Sequence, residues 1–67
     1  MNAKQAIQAS DNLTLMLLNS SKEMAARLNI SVSEAIDRKV KAYENNSKRN
    51  NEAIAWFLRG QKAKERI

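Results

Sequence analysis

The chain has 67 residues, a formal net charge of +5, and neither cysteine nor histidine. A chain this short forms one domain at most and buries only about 60% of the surface that its unfolded form exposes. Disulfides are excluded, and a structural zinc site or other cofactor is not expected without cysteine or histidine. Oligomerisation is the remaining common route to a sufficient core, so we expect an obligate homodimer.

The residues that usually perform catalysis are missing from this sequence. Ser-His and Cys-His nucleophile systems need side chains that the chain lacks. Gly60 is the only glycine, so there is no glycine-rich phosphate loop. We therefore predict that the protein is not an enzyme. No stretch approaches the ~18 apolar residues of a membrane span, and the lack of cysteine is typical of cytosolic proteins, so a cytoplasmic location is expected.

The first nineteen residues are compatible with either a helix or a strand. Leu13, Leu15 and Leu17 alternate with more polar residues, as in a half-buried strand. Alanine, glutamine and leucine are good helix formers, which favours a helix. Several apolar residues also fall near helical spacing: Ala3, Ala6, Ile7, Leu13 and Leu17. Periodicity alone does not separate the two.

Two short helices are predicted over residues 20–43, around a tight turn at residues 28–30. Both begin with the S-x-x-E capping box, in Ser20 with Glu23 and in Ser31 with Glu34. Asn29 suits the left-handed conformation that often ends a helix. In a small basic protein, two helices around such a turn are typical of a DNA-binding module.

The second of these helices has clear apolar and polar faces. Its apolar stripe consists of Val32, Ile36, Val40 and Tyr43. The opposite face carries both signs of charge, and two pairs on it have the favourable i,i+4 order with the acid first: Glu34 with Arg38, and Asp37 with Lys41. That pattern predicts a solvent-facing side.

The chain is divided by composition into three segments. Residues 1–44 are predicted to be a DNA-binding and dimerisation domain, residues 45–51 an asparagine-rich linker, and residues 52–67 a C-terminal helix, ended by Gly60, with a basic tail. Residues 48–67 contain six basic and two acidic side chains, a net charge of +4. This excess suggests contact with phosphate or an acidic partner, the alternative being a solvated helix end.

One interpretation of residues 20–43 is an all-α helix-turn-helix, whose second helix would enter the major groove of DNA. Ala25 occupies the usual small position and Asn29 the turn. The departures are Ala35, where a larger apolar residue is usual, and the acidic Glu34 and Asp37 on the face that would approach phosphates.

The second interpretation is a family resemblance. Asn29, Ile30, Ser31, Ser33, Glu34, Ile36, Val40 and Tyr43 follow, without a gap, an order common in the second helix of ribbon-helix-helix repressors, and Met24, Ala25 and Leu28 match the end of the first helix. The chain resembles the Arc, MetJ and CopG type over residues 13–43. The resemblance implies a mostly α, dimeric fold in which a short N-terminal strand precedes two helices, and the C-terminal helix is additional.

The same resemblance implies where DNA would be contacted. In that family the paired strands of the dimer enter the major groove, so side chains on one face of the strand would meet the bases: Gln8, Asn12 and Thr14. The N-terminus of the second helix would hold a phosphate, through Ser31 and Ser33. We expect the basic side chains of Lys48 and Arg49 to contact phosphate as well.

The C-terminal segment suggests a protein partner. Residues 51–55, Asn-Glu-Ala-Ile-Ala, resemble a stretch in the toxin-binding tails of Ccd-type antitoxins. Three bulky side chains in a row cannot all face one side of a helix, so part of this segment is left for a partner. The residues assigned to partner binding are Ile54, Trp56, Phe57 and Leu58; the alternative is that they complete the protein's own dimer core.

Together these patterns predict a small dimeric DNA-binding repressor of transcription whose partner is double-stranded DNA. The resemblance to antitoxin tails implies an autoregulating antitoxin, with a toxin as its protein partner. The alternative is a helical interaction module or inhibitor that docks its C-terminal aromatic helix onto another protein.

Overall fold

The computed structural model describes residues 2–46 and 50–67, with the backbone alone at residues 4 and 6–9. These residues form three helices: α1 over Ala3–Leu28, α2 over Val32–Asn46 and α3 over Asn50–Glu65. Each helix packs against the other two. The 26 residues of α1 span about 39 Å at 1.5 Å per residue, which matches the 40 Å long dimension of the molecule.

The N-terminal strand predicted from the ribbon-helix-helix resemblance is wrong, because residues 3–28 form one continuous helix. Asn2 caps its start: the Asn2 side chain accepts from the Gln5 amide, and the Gln5 side chain accepts from the Asn2 amide. This reciprocal arrangement satisfies two of the donors that a helix start leaves unpaired. The all-α alternative agrees with the structure.

The capping box predicted at Ser20 is also wrong, because Ser20 lies inside α1, where its hydroxyl donates to the Leu17 carbonyl at 3.2 Å. One side of α1 is buried between residues 14 and 25, at Thr14, Leu17, Leu18, Ser21 and Ala25. The spacing of three and four residues is that of a helical stripe. The leucines that alternated in the sequence therefore do not share a face: Leu17 is buried, whereas Leu15 is 42% exposed.

The turn between α1 and α2 agrees with the prediction. Asn29 has φ 55° and ψ 46°, the left-handed conformation, and its amide donates to the Ala25 carbonyl. Ser31 caps α2 by accepting from the Glu34 amide at 3.1 Å. The predicted apolar stripe of α2 faces the core, with Ile36 and Val40 buried and Val32 and Tyr43 packed beside them.

The third helix continues beyond the glycine that was predicted to end it. Gly60 lies buried within α3, and the segment predicted to be a tail is helical as far as Glu65. Because Trp56 stacks on Tyr43 and Gly60 lies against Val40, α3 runs antiparallel to α2. The core that closes between the three helices is small: Leu17, Leu18, Ile36, Val40 and Ala63.

Candidate functional site

The turn joining α1 to α2 positions the first candidate surface. Three residues, 29–31, separate the helices, and the Ile30 amide donates to the Ala25 carbonyl at 3.1 Å. Ala25 and Ala35 are both buried, at 5% and 0% exposure. Small side chains at these two positions let the two helices approach closely beside the turn. The result is a short, well-capped helix pair with the outer face of α2 open to solvent.

The outer face of α2 is polar and charge-balanced. The exposed Glu34 and Arg38 side chains pair at 3.3 Å, as predicted from their spacing. Asp37 pairs with Lys64 of α3 rather than with its own-helix neighbour Lys41. Lys64 therefore offsets the charge of Asp37 on this face. An exposed pair such as Glu34–Arg38 contributes only about 0–1 kcal/mol, so both side chains can exchange it for a ligand at little cost.

Of the three residues predicted to contact bases, the two whose side chains the structure describes, Asn12 and Thr14, do not share a surface in the helix. Asn12 is exposed, whereas Thr14 is fully buried and its hydroxyl donates to the Ser10 carbonyl at 3.0 Å. The Gln8 side chain lies outside the described part of the structure. The prediction grouped them by the alternation of a strand, and the helix separates what a strand would have aligned. Thr14 has no exposed surface with which to contact a base.

Of the residues predicted to contact phosphate, Ser31 and Ser33 are exposed at the start of α2. The Ser31 hydroxyl is used as the helix cap. Lys48 and Arg49 lie outside the described residues.

The second candidate surface lies on α3, where the predicted partner-binding residues separate onto two sides. Trp56 packs against the core, and its ring stacks on that of Tyr43 with centroids 4.1 Å apart. The other three residues form an outward stripe at i, i+3 and i+4: Ile54 is 57% exposed, Phe57 50% and Leu58 55%. Trp56 thus belongs to the fold, whereas the three residues of this stripe, called the α3 stripe below, are exposed.

A third feature is a cleft between α1 and α3 that the sequence did not reveal. It has a volume of about 200 Å³ and is lined by Ser10, Ala55, Leu58, Arg59 and Lys62. The guanidinium carbon of Arg59 lies 4.7 Å from the centroid of the Trp56 ring. The i,i+3 spacing of Trp56 and Arg59 on one helix was a signal for this contact. The contribution of Ser10 depends on how α1 packs against α3, for which the sequence carried no signal.

Among residues 2–46 and 50–67, no group of three or more acidic side chains is placed to hold a metal ion. Within the same residues, no helix combines the length and apolar character needed to cross a membrane. Comparisons with protein-family models, curated proteins and solved structures found no match to this chain.

Proposed function

We propose that this protein is a small, dimeric, DNA-binding repressor of transcription that acts in the cytoplasm and places α2 in the major groove. The observation that carries this proposal is the helix pair itself: a three-residue turn with left-handed Asn29, flanked by the buried Ala25 and Ala35. A turn of three or four residues between two helices is also what a helix-turn-helix uses to place its second helix.

The charge distribution supports the same function. The chain carries a net +5, which attracts the phosphate backbone over distances of about 10 Å at moderate salt. Glu34 and Arg38 near the start of α2 have the chemistry to identify bases: a carboxylate accepts from the cytosine amino group, and a guanidinium donates two hydrogen bonds to guanine. The salt bridge between Asp37 and Lys64 reduces the repulsion that an acidic residue causes near DNA.

The test is a selection of binding sites from a pool of random duplexes, followed by measurement of the affinities of two variants. Arg38→Ala should relax sequence preference by roughly 1–3 kcal/mol at one base pair. Asn12→Ala removes an exposed polar side chain from α1 and is the control, with no expected loss of preference. The absence of any enriched sequence, or a loss of preference confined to Asn12→Ala, would count against α2 as the recognition element.

A second candidate function is favoured by the α3 stripe. Three apolar side chains exposed by half or more on one helix face are suited to burial against another protein. A second copy of the chain, bound at the α3 stripe, would give the dimer that a two-fold symmetric DNA operator requires. If a different protein such as a toxin bound there instead, the chain would be an inhibitor, in agreement with the resemblance of residues 51–55 to antitoxin tails.

Sedimentation of the full chain over a wide concentration range shows whether the α3 stripe binds a second copy of the chain or is left for a different protein. If the α3 stripe forms the dimer, the wild type should be dimeric and Phe57→Asp monomeric, while Met16→Asp, at a 65% exposed position of α1, should leave the mass unchanged. A wild-type chain that stays monomeric at all concentrations would leave the stripe for a different protein.

A further inference from the structure

The cleft between α1 and α3 combines two cations with a small, partly open volume. Arg59 and Lys62 are three residues apart on α3, which places both on the same side of the helix beside Ser10 of α1. No carboxylate among the described residues lines the cleft. Its positive charge is therefore not neutralised from within.

Arg59 is held in place by aromatic contacts. Its guanidinium lies over the face of Trp56, and Trp56 is in turn stacked on Tyr43 at an interplanar angle of 26°. A cation over an aromatic face is stabilised by the negative charge of the ring face. This contact favours one position of the guanidinium before any ligand arrives, which lowers the entropy lost on binding.

The Arg59 side chain is also incompletely paired. Its Nε is buried and has no hydrogen-bond acceptor among the described residues. A partly desolvated cation without a counter-ion is unfavourable, and an anion placed beside its terminal nitrogens would offset that cost. The planar guanidinium matches the oxygens of a phosphate better than it matches a spherical ion.

We propose that this cleft binds a phosphate group, held by Arg59 and Lys62 with the Ser10 hydroxyl as a further donor. The volume of about 200 Å³ is well above the roughly 10–15 Å³ that one water molecule needs by the same measure, so the cleft has room for more than a bare phosphate. Ala55 and Leu58 provide an apolar wall for the carbons attached to it. The ligand is therefore an organic phosphate, either a free nucleotide or the sugar-phosphate backbone of a nucleic acid.

This site is separate from the outer face of α2, so it goes beyond the proposed repressor function and does not depend on it. Trp56 is the only tryptophan of the chain, and the cation that would hold the ligand lies on its ring. Its fluorescence is therefore a direct reporter of occupancy.

The experiment titrates the full chain with inorganic phosphate and, separately, with adenosine monophosphate, at constant ionic strength maintained with chloride. We expect a saturable change in Trp56 emission. Lys62→Gln should weaken binding about tenfold through loss of one charge-assisted contact. Lys22→Gln removes the same charge from an exposed position of α1 outside the cleft, and should change the affinity by less than about twofold.

Two results would overturn the proposal. The first is that Trp56 emission shows no saturable change beyond that caused by chloride. The second is that Lys22→Gln and Lys62→Gln weaken phosphate binding equally, which would indicate a general charge effect. A duplex oligonucleotide added to the phosphate-loaded protein shows whether the natural ligand is a nucleic-acid backbone or a free nucleotide. Displacement of the phosphate supports a nucleic-acid backbone, and retention supports a free nucleotide. If phosphate binds but the selection enriches no duplex sequence, the phosphate-site proposal holds and the repressor proposal is wrong.

Discussion

Gly60 of α3 lies so close to Val40 of α2 that a Cβ built on the glycine would be 2.7 Å from Val40 Cγ2. Val40 is a β-branched residue inside a helix, where one side-chain rotamer is strongly preferred, so its methyl group cannot turn away freely. The same Cβ would also lie 3.6 Å from Ile36 Cγ2. The close packing of α2 and α3 therefore depends on the absence of a side chain at position 60.

Gly60→Ala should lower the free energy of unfolding by about 1 kcal/mol. Overpacking costs roughly 1–3 kcal/mol, which outweighs the gain of about 1 kcal/mol that alanine normally brings to a helix interior. Urea denaturation followed by circular dichroism measures the difference. In a Val40→Ala background the new Cβ at position 60 has room, so Gly60→Ala should raise the free energy of unfolding. If Gly60→Ala also raised it in the wild-type background, α2 and α3 would be able to move apart without cost.

Asn29 is the one described residue outside glycine with positive φ, at 55°. Asn29→Ala should lower stability by about 1 kcal/mol, because a Cβ without a polar group disfavours the left-handed conformation. Asn29→Gly should be neutral or slightly stabilising, since glycine adopts that conformation readily. The matched control is Asn19→Ala on the exposed face of α1, where alanine should instead raise stability by a few tenths of a kcal/mol. Thermal unfolding of the three variants would reveal the opposite signs.

The local features of α2 could be predicted from the sequence because they depend on residues three and four apart. The apolar stripe from Val32 to Tyr43, the Ser31 cap and the Glu34–Arg38 pair are all of this kind. Asn29 was predictable because few residues favour its conformation.

The features that were predicted wrongly depend on contacts between residues more than one helical turn apart. Leu13, Leu15 and Leu17 fit a strand as well as a helix, and the cap at Asn2 and the packing of Leu17 decide for the helix. Gly60 resembled a helix end, yet it lies inside α3, where Val40 occupies the space beside it. The cleft joins Ser10 to Lys62 across 52 positions of sequence, a proximity that only the packing of α1 on α3 creates.

Ser21 is fully buried, and its hydroxyl has no hydrogen-bond partner in the part of the chain that the structure describes. Ser21→Ala should raise the free energy of unfolding by about 1 kcal/mol, because a buried unpaired hydroxyl is unfavourable and alanine is the better helix former. Ser20→Ala is the control. The Ser20 hydroxyl is half-buried and donates to the Leu17 carbonyl. Its removal should change the free energy of unfolding by less than about 0.5 kcal/mol, which is close to the difference in helix propensity between serine and alanine. Destabilisation by Ser21→Ala would indicate that the hydroxyl is paired in solution.

The adjacent residues Trp56 and Phe57 should lose different amounts of stability on alanine substitution. Trp56 packs on the core, stacks on Tyr43 and supports Arg59. Trp56→Ala should therefore lower stability by about 2–3 kcal/mol, somewhat less than the 3–5 kcal/mol of a fully buried aromatic residue.

Phe57 is half-exposed on the α3 stripe, and Phe57→Ala should lower the stability of the monomer by less than about 1 kcal/mol. If the stripe binds a second copy of the chain, however, the loss should grow with protein concentration, because a dimer is stabilised by mass action and its monomer is not. Urea midpoints measured for the wild type and both variants over a hundredfold range of concentration separate these contributions. Equal losses for Trp56→Ala and Phe57→Ala at low concentration would mean that Phe57 is part of the monomer core, and the α3 stripe would then not be free to bind a partner.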